Sequence, residues 1–135
     1  MKIYYAHHTW KYGTPIEEYE LQVIRDCFEC EEDFEIVNPK ETLPQGSPEH
    51  EIMQKAYEAI DGCDTLVFST VSGMIGHGVF NEVILALNLG IPVFCMVGDD
   101  CFLIKYDDFC HRIIFEGDNS VYALVKMPHE YEDDF

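Results

Sequence analysis

Thr65-Leu66-Val67-Phe68, the loop Ser69 to Gly78, the stretch Val79 to Leu89 and then Gly90-Ile91-Pro92-Val93-Phe94-Cys95-Met96-Val97 form the run on which the fold turns. Thr65 to Phe68 is a nearly continuous apolar run after turn residues, the pattern of a strand buried on both faces of a parallel sheet. Val79 to Leu89 predicts a helix, and Gly90 supplies the residue that most readily ends one. Ile91 to Val97 has strand composition again, with Pro92 near its start where a missing N–H is tolerated. Strand, helix, strand at this spacing predicts a parallel crossover unit.

The flanking sequence extends the alternation. Lys2 to Ala6 predicts an opening buried strand. Thr14-Pro15-Ile16-Glu17 combines an N-cap Thr, a Pro at the first helical position and a Glu at the third. The helix that follows is expected to turn Ile16, Tyr19, Val23, Ile24 and Cys27 or Phe28 inward and to leave Glu17, Glu18, Glu20, Arg25 and Asp26 outward. Phe34 to Val37 predicts a second strand, stopped at Asn38-Pro39, and Lys40 to Gly46 a loop. Ser47-Pro48 then heads a helix carrying Ile52, Met53, Ala56 and Ile60 on one face, ended by Asp61-Gly62. Beyond Gly98 the periodicity weakens. Ile113-Ile114-Phe115 is expected as a fifth strand, Val121 to Met127 as a last helix, and residues 129–135 as an acidic tail after a single domain over 1–128. The whole predicts an α/β, doubly wound parallel sheet in a three-layer α/β/α sandwich, with flavodoxin-like strand order 2-1-3-4-5.

At 135 residues the chain suits one core. Eight Lys and Arg against 26 Asp and Glu give a net charge of −18. That field repels phosphate backbones and anionic lipid, so a nucleic-acid polymer and a membrane surface are both disfavoured partners. With 47% hydrophobic residues the chain still has material for a packed core. The N-terminus lacks an apolar signal core, and no run approaches the roughly 18 apolar residues of a transmembrane helix, so a cytoplasmic location is expected. Cys27-Phe28-Glu29-Cys30 has CxxC spacing without a second pair, and the six cysteines are read as reduced thiols packed as small apolar groups. No metal or cofactor is expected.

In an open parallel sheet the ligand crevice lies beyond the carboxyl ends of the strands. That rule selects Ala6 to Gly13, Asn38 to Gly46, Ser69 to Gly78 and Gly98 to Asp100. The candidate ligand contacts there are Ala6, His7, His8, Asn38, Ser69, Thr70, Ser72, Gly73, Gly76, His77, Gly78 and Asn81, with Asp99 and Asp100 nearby. Gly73 to Glu82 is the most informative stretch, because its glycines let backbone approach a ligand. It has neither Walker nor Rossmann spacing and no Lys or Arg, which argues against a polyphosphate. Glu82 is expected in the first turn of the following helix, where the dipole alone would favour a carboxylate.

Four features taken in order, Tyr4-Tyr5-Ala6 ending the first strand, Asp61-Gly62-Cys63-Asp64 before an apolar strand, the glycine-containing loop leading to Glu82, and Ala86-Leu87-Asn88-Leu89-Gly90-Ile91-Pro92-Val93, resemble the nucleoside 2-deoxyribosyltransferase superfamily. That superfamily includes deoxynucleoside 5′-monophosphate N-glycosidases and is more distantly related to nucleotide-cleaving Toll/interleukin-receptor domains. The resemblance covers about the first hundred residues. It implies a nucleoside or nucleotide ligand, Glu82 as the catalytic glutamate, Tyr5 as the nearest match to the active-site tyrosine, and assembly into a homo-oligomer. A carboxylate suits such chemistry because breaking an N-glycosidic bond builds oxocarbenium charge that it can stabilise or attack. His7, His8 or His77 could protonate the departing base. Against the pattern, residues 69–81 hold no Asp or Glu, and Asp61 and Asp64 read first as turn residues. This leaves two alternatives, a non-catalytic binder of a nucleotide-derived ligand and an acidic protein-interaction module.

Overall fold

The structure, a computed structural model, describes residues 1–28, 34–43, 46–107, 112–115, 121–123 and 125–126. Its elements are β1 (Lys2–Ala6), a 3-10 turn (Thr9–Lys11), α1 (Pro15–Cys27), β2 (Glu35–Val37), α2 (Pro39–Thr42), α3 (Glu49–Asp61) and β3 (Thr65–Phe68). There follow β4 (Met74–Ile75), α4 (His77–Asn88), β5 (Val93–Val97), β6 (Asp100–Asp107), β7 (Arg112–Phe115), β8 (Val121–Ala123) and β9 (Val125–Lys126). The main sheet runs β2-β1-β3-β5-β6-β7-β8. Its first four strands are parallel, with Tyr4 beside Val37 and Leu66, and Leu66 beside Val93. This is a flavodoxin-like α/β fold, with the expected order through the fourth strand.

Side chains alternate across the sheet because a strand has period two. Tyr4, Ala6, Leu66, Phe68, Val93 and Cys95 face α3 and α4 and pack with Ile60, Val79, Val83 and Ala86. Ile3, Tyr5, Val67 and Met96 face α1 and pack with Val23 and Ile24. Helices therefore cover both faces, and neighbouring Tyr4 and Tyr5 look into different layers. Gly90 takes a positive φ of 75°, and Ile91 N–H returns to the Ala86 carbonyl at 3.0 Å while Gly90 N–H reaches Leu87 at 3.1 Å. This is the Schellman stop expected of a glycine just past a helix.

Several expectations are corrected. Asp100–Asp107 is a strand, joined to β5 by the two-residue turn Gly98-Asp99 and antiparallel to it. A two-residue hairpin matches strand twist when a residue such as Gly98, with φ of 61°, adopts a positive φ. The strand at Ile113–Phe115 exists but is antiparallel and follows β6. The helix expected at Val121 to Met127 is instead β8 and β9, where Val-Tyr-Ala alternation and β-branched residues override the helical reading. Pro39–Thr42 is a short helix within a stretch expected to be a loop, and Pro48 rather than Ser47 occupies the N-cap of α3. The acidic tail at 129–135 and Cys30 and Cys110 lie outside the described residues. No helix among the described residues is long and apolar enough to cross a membrane.

Candidate functional site

Two polar constellations meet the carboxyl ends of β1 and β3, where the chain switches from building the sheet on one side to building it on the other. The first centres on Glu82. Helix α4 begins at His77, two residues earlier than expected, so Glu82 lies in its second turn and the first turn holds no acid. The helix dipole, which acts within the first turn, therefore does not account for this carboxylate. Glu82 is 2% exposed and accepts a hydrogen bond from the Tyr4 hydroxyl. No ion pair joins it among the described residues. Burial, opposed by the Tyr4 bond, pushes its carboxyl up to about 8. Tyr12, half-buried in the loop after β1, lies within the field of both Glu82 and Glu17, and burial followed by those charges raises its phenol.

The second constellation lies on the α1 face. Glu20 Oε1 accepts from the Tyr5 hydroxyl and from the Ser69 hydroxyl, both at 2.6 Å. The Lys11 ammonium donates to Glu20 Oε2 at 2.8 Å, to Ser69 Oγ at 2.9 Å and to the Thr70 carbonyl at 2.8 Å. Each buried group thus has partners, the condition under which a buried ion pair is tolerated. Burial, then the Glu20 bond, raises the Tyr5 phenol. Beside it, His7 stacks on Tyr5 with centroids 3.7 Å apart. Its Nε2 lies 2.7 Å from Glu17 Oε2 and its Nδ1 3.1 Å from the Tyr5 carbonyl. Both ring nitrogens face acceptors, so the pair is fully satisfied when one further proton lies between Nε2 and Glu17. Burial pulls the ring below its ordinary value against the Glu17 and Tyr5 bonds. Burial alone would raise Glu17, but bonds from His7 and the Gly13 N–H, with the charges of His7 and Lys40, hold it below the usual carboxylate range. A cleft of about 310 Å³ opens over this network, lined by Ile16, Tyr19, Glu20, Ser69, Thr70, Met96, Val97 and Gly98. It lies on the α1 side, not over Glu82.

The structure therefore redistributes the expected site residues. Tyr4, not Tyr5, reaches Glu82, because alternation sends Tyr5 to the α1 layer. His7 goes with Tyr5 and pairs with Glu17. Glu17 and Glu20, expected outward, are buried, while Ile16 and Tyr19, expected inward, are each 53% exposed. Two stripes compete on α1, and buried Lys11 and His7 supply partners that let the acidic one face the sheet. Ser69 and Thr70 belong to the Lys11 network. Ala6 is core, its carbonyl accepting the Ser69 N–H at 3.1 Å. His8 Nδ1 accepts from Trp10 N–H at 3.1 Å and caps the 3-10 turn. Asn38 Oδ1 accepts from Lys40 N–H at 3.0 Å, capping α2.

Ser72 and Gly73 have φ of 50° and 78° and form a tight turn in which Val71 and Met74 exchange hydrogen bonds of 2.8 and 2.9 Å. Such a turn requires positive φ at both central positions, which is why Gly73 is there. The next residues, Met74 and Ile75, pair in parallel with Val125 and Lys126, so the expected open loop is a braced element. Gly76 caps α4, and His77, Gly78 and Asn81 lie on that helix, with Asn81 Nδ2 3.0 Å from His77 Nε2. Asp99 and Asp100 are exposed at the β5–β6 turn, and Asp64 accepts the Lys2 N–H at 2.8 Å at the far end of the sheet, as a turn residue. Among the described residues no group of three or more His, Cys, Asp and Glu could hold a metal.

No known family model matches the chain, and no curated protein does. Among solved structures it is similar to a conserved protein from Enterococcus faecalis V583, with a TM-score of 0.56 and 21% identity over 70% of this chain. The chain spans 62% of that protein's length. At this identity the likeness shows the α/β fold alone.

Proposed function

We propose that the protein cleaves or transfers the N-glycosidic bond of a nucleoside or nucleotide-type substrate, with Glu82 as nucleophile or oxocarbenium stabiliser. The observation that carries this reading is a buried carboxylate, oriented by Tyr4 and joined by no ion pair among the described residues. A desolvated carboxylate of this kind is costly in the resting fold and most effective when positive charge develops beside it, as at an anomeric carbon during departure of a base. Tyr4 acts as a positioning residue, since its bond favours the ionised form of Glu82. The acidity of the chain favours a neutral nucleoside over a polyphosphate.

The test is release of free base from deoxynucleosides, deoxynucleoside monophosphates or NAD. Turnover is expected to fall by at least about 100-fold in Glu82→Gln, the scale seen when a buried electrostatic contact to the reacting centre is lost. Because the ionised form acts, kcat/KM should rise with pH and level off above about 8. No turnover of any of these substrates, or equal turnover in the variant, would remove the reading. A second reading, a non-catalytic binder, is favoured by the near-complete enclosure of Glu82, and calorimetry showing binding without product would select it.

A further inference from the structure

Cys27 is the last residue of α1 and Cys101 the second of β6, elements that pack against each other although 74 positions separate the two cysteines. The Cys27 thiol is exposed and donates to the Asp99 carbonyl at 3.7 Å, two residues before Cys101. Cys101 packs against the same core cluster as Val23 and Ile24 of α1, which places it beside the end of that helix. The neighbourhood is braced. Phe28, just after Cys27, meets Phe94 edge-on with centroids 5.3 Å apart, and Cys101 lies opposite Met96 in the β5–β6 ladder. The other described cysteines, Cys63 and Cys95, are buried on the α3/α4 face, and burial raises their thiols to about 11 and about 12. They are therefore poor candidates for attack on an oxidant.

We propose that Cys27 and Cys101 are a redox-modified pair that closes to a disulfide, fastening the end of α1 to the β5–β6 turn. Exposed Cys27 is the attacking thiol. As a thiolate it displaces one thiol from a small-molecule disulfide such as oxidised glutathione and becomes a mixed disulfide. Cys101, on the strand packed against the end of α1, loses its proton as its sulfur attacks the Cys27 sulfur, and the second glutathione thiol leaves with a proton. Two protein thiols are oxidised and one glutathione disulfide is reduced to two thiols. Burial and the adjacent Cys27 raise the Cys101 thiol, which suits a resolving group that reacts only once its neighbour is modified. Val97 and Gly98, next to Asp99, line the α1-side cleft, so the bond would fix one wall of that cleft to α1.

The CxxC spacing names a different partner, Cys30, and the experiment separates the two. The reduced full-length protein is exposed to oxidised glutathione, alkylated and digested, and the cross-linked peptides are identified by mass spectrometry. A peptide pair joined through Cys27 and Cys101 and lighter by two hydrogens is expected. It should persist in Cys30→Ser and vanish in both Cys27→Ser and Cys101→Ser. A Cys27–Cys30 bond as the main product, or Cys27 remaining as its glutathione mixed disulfide with Cys101 alkylated in both wild type and Cys30→Ser, would overturn the proposal.

Discussion

Burial pushes the Glu82 carboxyl up to about 8, and the Tyr4 phenol opposes that shift only in part. This has a consequence for stability that does not depend on any reaction. The folded pKa is raised above the ordinary 4.5, so the folded state binds the proton more tightly than the unfolded chain does. The contribution is fully favourable below about 4.5, is lost as pH rises towards about 8, and is level beyond. Glu82→Gln removes the titration while keeping a polar partner for Tyr4. The variant should match wild type near pH 4 and exceed it at pH 9 by on the order of 4 kcal/mol. Thermal unfolding of both proteins across that range checks it, and a difference independent of pH would contradict it. At this scale Glu82 was legible, because it follows a glycine-bearing loop after a buried strand. Tyr4 was not distinguishable from Tyr5, since two adjacent tyrosines in a strand differ only in which layer each enters, and that depends on the register with β3.

The element that diverges most from its sequence pattern is α1. Ile16, Tyr19 and Val23 form one plausible inward stripe, and Glu17, Glu20 and Ile24 form another. Composition favours the first; the structure buries the second together with Val23 and leaves Ile16 and Tyr19 exposed. What decides it is Lys11, outside the helix, whose three hydrogen bonds tie Glu20, Ser69 and the Thr70 carbonyl into one buried network. A helical wheel contains no information about a cation nine residues upstream. Removing that cation leaves Glu20 buried without a countercharge, held only by the Tyr5 and Ser69 hydroxyls. Lys11→Met should therefore destabilise the protein by about 3–5 kcal/mol in urea unfolding, and the further change Glu20→Leu should recover much of it. If Lys11→Met cost no more than an exposed substitution, about 0.5 kcal/mol, the network would not be holding α1 in place. Helices α3 and α4 are legible in the sequence because their apolar faces, Gly62 and Gly90 agree with one another, whereas the strands after Gly98 lack the alternation with helices that identifies the earlier ones.

For the whole molecule, a charge of −18 on 135 residues means that the folded state gathers mutually repelling carboxylates. The same acidity was legible at once and constrains partners, but the buried pairs Lys11–Glu20 and His7–Glu17 show that part of it is internal. Screening should relieve the remainder. Raising NaCl from about 10 to about 150 mM shortens the Debye length from about 30 to about 8 Å, and should raise Tm by roughly 3–6 °C. A Tm that stays flat or falls in a salt titration would mean that favourable ion pairs balance the repulsion.

The parallel pairing of Met74 and Ile75 with Val125 and Lys126 also orders events in time. A contact between segments some fifty positions apart closes late, because chain entropy must be overcome before the contact rewards it. On the ribosome, the segment leading into α4 has no partner strand until about fifty further residues have been made. The brace ahead of the Glu82 helix is thus completed after the strands that hold Tyr4 have already formed.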